Sequence, residues 1–287
     1  MRKLVLALVL AAIAFAPVGA QQSVPEPKVA LPNKDGSFKF AVLGSSGTGE
    51  PAQYQLAEQM VNLHNQFKYD LVLLAGGNLP GAERPPDYQK RFELPYKRLL
   101  DAGVTFHASL GRDDDVNQRD YKLFNMGGKQ YYTFSPNPDV TFFALDSNYL
   151  SPDQLEWLET ELQASRAAWK IAFLHHPLYS SGDRQESQSG LRNTLEPLLV
   201  KYNVAVVLSG QGGFYERLKP QKGIAHFVVG SGGQLNPGRL DMSSGITGKG
   251  FDSDQAFMAA EIIGDEMYFI AMSRAGKIVD AGIVHRR

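Results

Sequence analysis

The sequence contains no cysteine among its 287 residues. That excludes disulfides and thiolate metal sites, and a chain of this length buries enough core to need neither. It has no excess of positive charge: 29 Lys+Arg stand against 30 Asp+Glu, which argues against a nucleic-acid partner. Internal repeats and low-complexity tracts are absent. A hydrophobic share of 43% with 21% charged residues reads as ordinary globular protein rather than a disordered chain.

Long apolar runs are confined to the first residues. Arg2 and Lys3 precede an apolar stretch from Leu4 to Phe15, and Val18-Gly19-Ala20 places small side chains where a signal peptidase reads. The pattern predicts a signal peptide over 1–20, cleaved near Ala20, and hence an exported, periplasmic or extracellular protein. The run is short for a membrane anchor, and no later stretch reaches spanning length, so no membrane span is expected in the mature chain. Loss of Arg2 and Lys3 takes Lys+Arg from 29 to 27 against 30 acids, a formal charge of −3. Residues 21–36, rich in Gln, Pro and Lys, predict a flexible leader, and 37–287 a single domain.

Within that domain, strands and helices alternate. Strands are expected at Phe38–Leu43, Leu71–Leu74, Val104–Ser109, Thr141–Leu145, Lys170–Leu174 and Val204–Leu208. Helices are expected at Pro51–His64, Phe92–Asp101 and Leu191–Tyr202. A further helix follows Ser151, with Pro152 in its first turn, Gln154 closing a capping box, and a stripe of Leu155, Leu158 and Leu162. Later segments read only as strands: Ala225–Val229, Ala256–Ile263, Glu266–Met272 and Lys277–Val284. Gly264-Asp265 and Ala275-Gly276 turn between the last three. Alternation followed by antiparallel strands implies a mixed α/β architecture.

Unusual residue clusters sit after the strands, where α/β folds build their sites. They are Gly44-Ser45-Ser46-Gly47-Thr48-Gly49, Gly76-Gly77-Asn78-Leu79-Pro80-Gly81, Gly111-Arg112-Asp113-Asp114-Asp115, His175-His176-Pro177-Leu178-Tyr179, and Gly210-Gln211-Gly212-Gly213-Phe214-Tyr215-Glu216-Arg217. In order and spacing these blocks resemble the G-D-x-G, G-D-N-x-Y-G, G-N-H-D, H-x-P-x-Y and G-H-x-H-x-Y-E-R blocks of the calcineurin-like metallophosphoesterases, in their purple-acid-phosphatase-like branch. Pro95-Tyr96-Lys97 and Ala144-Leu145-Asp146-Ser147-Asn148 strengthen the likeness, which covers residues 37–287. The resemblance implies a four-layer αββα sandwich, two mixed sheets face to face flanked by helices. It also implies a chemistry in which two divalent metals clamp a phosphoester, activate a water, and work with a histidine.

The departures fall on that chemistry. Ser45 stands where the family has a metal-binding Asp, Gly77 replaces the bridging Asp beside a retained Asn78, and Pro80 replaces the ligating Tyr. Arg112 replaces a ligand Asn and Asp113 the catalytic His, while Asp114 keeps a supporting carboxylate. Gln211 and Gly213 replace two ligand histidines, and His175 alone survives as a direct ligand. Serine is a poor ligand, glycine offers no side chain, and a guanidinium cannot coordinate. Such a set does not neutralise two divalent ions. Neither metal nor other cofactor is therefore expected, and the chain is read as a pseudoenzyme that binds a small anion or a protein partner.

Other readings are open at this point. One metal on His175, Asp113 and Gln211 or Asn78 would make a remodelled phosphoester hydrolase. Arg112, with His175, could hold an anion by paired hydrogen bonds, or Arg112 could close onto Asp113 or Asp114. His175 could be satisfied by local backbone. Asp113–Asp115 lacks the spacing of a calcium loop and reads as a solvated acidic turn. Gly44–Gly49 lacks a Gly-Lys-Ser/Thr ending, and a nucleophile built from Ser45 or Ser46, His175 and Asp146 lacks a nucleophile elbow. Tyr179 and Tyr215-Glu216-Arg217 are read as structural.

Overall fold

The computed structural model describes residues 30–81, 84–182 and 185–286. The expected signal peptide and residues 21–29 of the expected leader lie outside them. The rest of that leader joins the folded body before residue 37. Leu31 packs on the core. The buried Glu261 carboxylate accepts the Asn33 and Lys34 backbone N–H groups, each at 2.7 Å, and the Ser37 hydroxyl at 2.6 Å. A buried carboxylate requires such donors, and they fix this end of the segment.

The elements run β1 (Phe38–Leu43), α1 (Pro51–Phe67), β2 (Leu71–Ala75), α2 (Pro85–Tyr88), α3 (Lys97–Asp101), β3 (Thr105–Ser109), β4 (Tyr132–Asn137), β5 (Val140–Ala144), α4 (Pro152–Ala164), β6 (Trp169–Leu174), α5 (Gln185–Lys201), β7 (Val206–Ser209), β8 (Tyr215–Leu218), β9 (Ala225–Val229), β10 (Thr247–Phe251), β11 (Ala256–Ile263), β12 (Glu266–Ser273) and β13 (Ile278–His285). A six-stranded sheet has the order β13-β12-β11-β1-β2-β3, and a seven-stranded sheet the order β10-β8-β9-β7-β6-β5-β4. Strands β1, β2 and β3 are parallel in the first, and β5, β6, β7 and β9 in the second.

Period-two alternation sorts side chains between the layers. Phe142, Ile171, Phe173, Val206 and Leu208 point into the core between the sheets. Their neighbours Phe143, Ala172, Leu174 and Val207 pack outward beneath Leu158 and Leu162 of α4 and Leu195 and Leu199 of α5. Edge-to-face pairs cross the gap, Phe40 on Phe142 at 5.4 Å and Phe227 on Phe269 at 4.9 Å. At one edge Asp280 of β13 accepts the Tyr215 hydroxyl at 2.9 Å and the Arg217 guanidinium at 2.7 and 3.1 Å, tying the sheets together. This is the two-sheet sandwich with outer helices that the family resemblance implies.

Local differences have local causes. The helix expected over 92–101 is broken: a π-helical turn at Gln89–Glu93 follows α2, and α3 starts only after Pro95, which lacks the N–H to carry a helix through. Strands β4, β8 and β10 gave no sequence signal. The first contains Pro136, the second has only 4 residues, and the third has two glycines in Thr-Gly-Lys-Gly-Phe. Ser151 caps α4 as expected, accepting the Gln154 N–H at 3.1 Å. Gln154 does not return the bond. Its side chain holds the Asp146 backbone on both sides, N–H and C=O, at 2.9 Å each, and so fastens the loop after β5.

Candidate functional site

Because the parallel strands of both sheets end on one side, the loops after β1, β2, β3, β6 and β7 converge there. They surround a cleft of about 640 Å³ whose walls include Ser45, Gly77, Arg112, Asp113, His175 and Gln211. Gly213 lies beside it, behind Asn236. Those expected site residues are thus brought together, whereas Asn78 and Asp114 are not among the residues lining the cleft.

Ser45 is buried at φ +50°, its hydroxyl donates to the Gly210 carbonyl at 2.7 Å, and its N–H donates to the Gly76 carbonyl at 2.8 Å. One residue therefore laces the first, second and fifth loops. Gly77 lies against it at φ +68°, and a Cβ at Gly77 would stand 2.7 Å from the Ser45 Cα. The position expected to carry a bridging carboxylate thus has neither the backbone conformation nor the room for one. Gly213, at φ +72°, is crowded by a side chain rather than by backbone: its Cβ would stand 2.4 Å from the Asn236 amide nitrogen.

Asp114 does not belong to a solvated turn. Its carboxylate accepts the Gly111, Asn78 and Leu79 N–H groups at 2.7, 3.0 and 2.9 Å, pinning the third loop to the second. Burial pushes its carboxyl up, against the opposing pull of those N–H groups. Asp115 caps the following turn by accepting the Asn117 N–H at 2.7 Å. Asn78 is buried, donates to the Ser109 carbonyl at 2.7 Å, and leaves its own amide oxygen without a hydrogen-bond partner.

His175 is also buried, and burial lowers its imidazole to about 4, with Arg112 adding to the effect. Its Nδ1 lies 3.3 Å from the Ala75 carbonyl. A carbonyl only accepts, so Nδ1 carries the proton and Nε2 is left as an acceptor. Around neutral pH the ring is a neutral group satisfied by local backbone, not a cation. Arg112, by contrast, does not fill the interior. Its side chain is 50% exposed at the cleft wall and meets Asp113 at 3.4 and 3.5 Å, and no bond ties it to Asp114. The serine-nucleophile arrangement is not formed, because Ser45 and His175 each spend their bond on a backbone carbonyl. Asp146 faces the Asn148 N–H at 2.9 Å, and burial raises its carboxyl.

The donor set does not fit a dinuclear centre. Among the described residues, no three His, Asp or Glu side chains come together as metal ligands. The retained tyrosines and the Tyr215-Glu216-Arg217 block hold loops. Fully buried Glu216 accepts the Ser180 and Thr247 hydroxyls at 2.8 and 2.6 Å, and Tyr179 donates to Glu196 at 2.5 Å. Sequence reasoning missed Arg91, Gln234, Asn236 and Arg239, which also line the cleft. Three of them lie beyond the last motif block, in an irregular segment without periodicity.

Fold and site define a metallophosphoesterase scaffold without its complete metal site. Residues 39–210 match the family model for calcineurin-like phosphoesterases, and the chain belongs to that family. Among curated proteins, human tartrate-resistant acid phosphatase type 5 is 26% identical over 245 residues, covering 71% of this chain and 75% of its own length. The mouse protein of the same name is 25% identical over 130 residues, covering 43% of this chain and only 39% of its own length. Among solved structures, GAP50, the anchor in the inner membrane complex of Plasmodium, superposes with a TM-score of 0.74 at 19% identity, covering 88% of this chain and 89% of the other. At that identity the likeness concerns the fold alone. Among the described residues, no helix is long and apolar enough to cross a membrane.

Proposed function

We propose that this protein is an exported pseudophosphatase, periplasmic or extracellular, that works as a binding module and holds a small anion in the cleft where its family holds metals. The observation that carries this reading is Arg112. A permanent cation stands at the cleft wall, half exposed and held to Asp113 only by long contacts. Arg91 lines the same cleft, and the acids among its described lining residues are Glu50 and Asp113. A guanidinium there can meet a phosphate or carboxylate through two parallel N–H bonds.

His175 takes a different part from the one its family position implies. With Nδ1–H facing Ala75, its Nε2 accepts a proton donor and gives nothing to a bare anion. A monoprotonated phosphate, which offers both O⁻ and O–H, suits Arg112 and His175 together. Export rests on the pattern of residues 1–20. A protein partner is the other occupant this role admits: GAP50, of similar fold, is an anchor, and co-purification would reveal such a partner.

Calorimetry with inorganic phosphate and simple phosphoesters tests the reading, together with crystal soaks. Binding that Arg112→Ala weakens by about 10- to 100-fold is expected, the loss of a charge-assisted pair. No occupancy near Arg112 would refute the anion pocket. The rival reading, a hydrolase with a single-metal centre, requires stoichiometric metal and turnover that His175→Ala abolishes.

A further inference from the structure

A second feature of the site lies outside every motif block. After β9 the chain runs through residues 230–239 back over the loop that follows β7. Two hydrogen bonds from one residue seat it there: the Asn236 N–H donates to the Gly213 carbonyl at 2.8 Å, and its side-chain amide donates to the Gly212 carbonyl at 2.9 Å. The same segment is tied to the first loop. Gly233 and Gln234 donate their N–H groups to the Ser45 carbonyl at 3.1 and 3.0 Å, and Gly232 donates to the Gly44 carbonyl at 2.9 Å.

The Asn236 side chain lies where a side chain at position 213 would begin. A Cβ placed on Gly213 would stand 2.4, 2.7 and 3.0 Å from Asn236 Nδ2, Cγ and Cβ. The two volumes overlap, so a side chain at position 213 requires Asn236 to leave this rotamer and give up its amide bond to the Gly212 carbonyl.

We infer that Asn236 is the residue that fixes the rebuilt wall of the cleft: its side chain takes the space a side chain at Gly213 would enter, and it seats the segment that brings Gln234 and Arg239 to the cleft wall. The inference does not depend on which ligand the cleft takes, because its contacts are internal.

A double-mutant cycle tests it by thermal melting. Gly213→His alone should lower Tm by several degrees, from steric overlap with Asn236 and a backbone at φ +72°. In Gly213→His/Asn236→Gly the overlap is gone, and Tm should fall by less than the sum of the two single losses. Should the histidine variant fail to fold, Gly213→Ala serves instead, since its Cβ alone meets the amide. Strictly additive losses with the alanine and histidine series would overturn the inference, whether or not the cleft binds phosphate. Asn236→Ser, which keeps the backbone bond to Gly213 but shortens the side chain, should relieve the overlap in part. Equal losses for Gly213→Ala in the parent protein and in the Asn236→Ser variant would also count against it.

Discussion

Restoring the family's bridging carboxylate by Gly77→Asp should damage the fold rather than repair the enzyme, and the size of the damage follows from two features of the structure. Gly77 sits at φ +68°, a conformation that costs an L-residue roughly 1 kcal/mol or more. Its Cβ would stand 2.7 Å from the Ser45 Cα, a backbone atom that no rotamer change removes, and overpacking of this kind costs about 1–3 kcal/mol. The new carboxylate would reach the cleft that Arg112 also lines, so any attraction to that guanidinium offsets only part of the cost. The sum, about 2–5 kcal/mol, is a large part of a typical domain's stability of roughly 5–15 kcal/mol. Urea titration read by circular dichroism measures it, with Gly77→Ala separating the backbone cost from the charge. A Gly77→Asp protein as stable as the parent, or one stabilised by added Mn or Zn, would refute the reasoning.

Ser45→Ala should cost about 1–2 kcal/mol in the same titration, because the buried hydroxyl bond to the Gly210 carbonyl at 2.7 Å is lost and the carbonyl is left unpaired. Stability should also depend on pH through imidazoles that are buried or half-buried. Burial lowers His107, His175 and His226 to about 4 in the fold, against about 6.5 unfolded. The unfolded chain binds more protons between those values, so stability rises with pH from about 4 to about 6.5 and levels off above. The carboxyls of Asp114 and Asp146 are raised instead, so their contribution falls as pH rises above the ordinary carboxylate value, which blunts the slope at its acid end. Denaturation midpoints across pH 4–7 should show the rise, and His226→Gln should flatten it by close to one proton. An unchanged slope would place that imidazole's titration elsewhere.

Much of this fold was legible because its strands are short apolar runs ended by glycine, and because turns such as Gly264-Asp265 carry their own chemistry. Strands β9 and β11 fall where the sequence places them, residue for residue. What escaped was polar, edge-bound or interrupted: β4 with its proline, β10 with its glycines, and the helix broken before α3. The substituted ligands at Ser45, Gly77, Gln211 and Gly213 could be read from residue types alone, since no packing makes a glycine into a ligand. Their consequences could not. That Arg112 stands at the wall instead of in the vacated interior depends on how the third loop is pinned by Asp114. That His175 donates to Ala75 and keeps Nε2 as an acceptor depends on a carbonyl 100 residues away in sequence. Asn236 belongs to an irregular segment whose only signal is its place in space.

The most direct measurement is the metal content of the purified protein after incubation with Mn, Zn and Fe, together with an aryl-phosphate assay. Loops closed by Ser45, Gly77 and Asn236, with Arg112 at the cleft wall, predict well under one metal per chain and no turnover above the metal-only background. Two ions per chain, with hydrolysis that His175→Ala abolishes, would contradict the account.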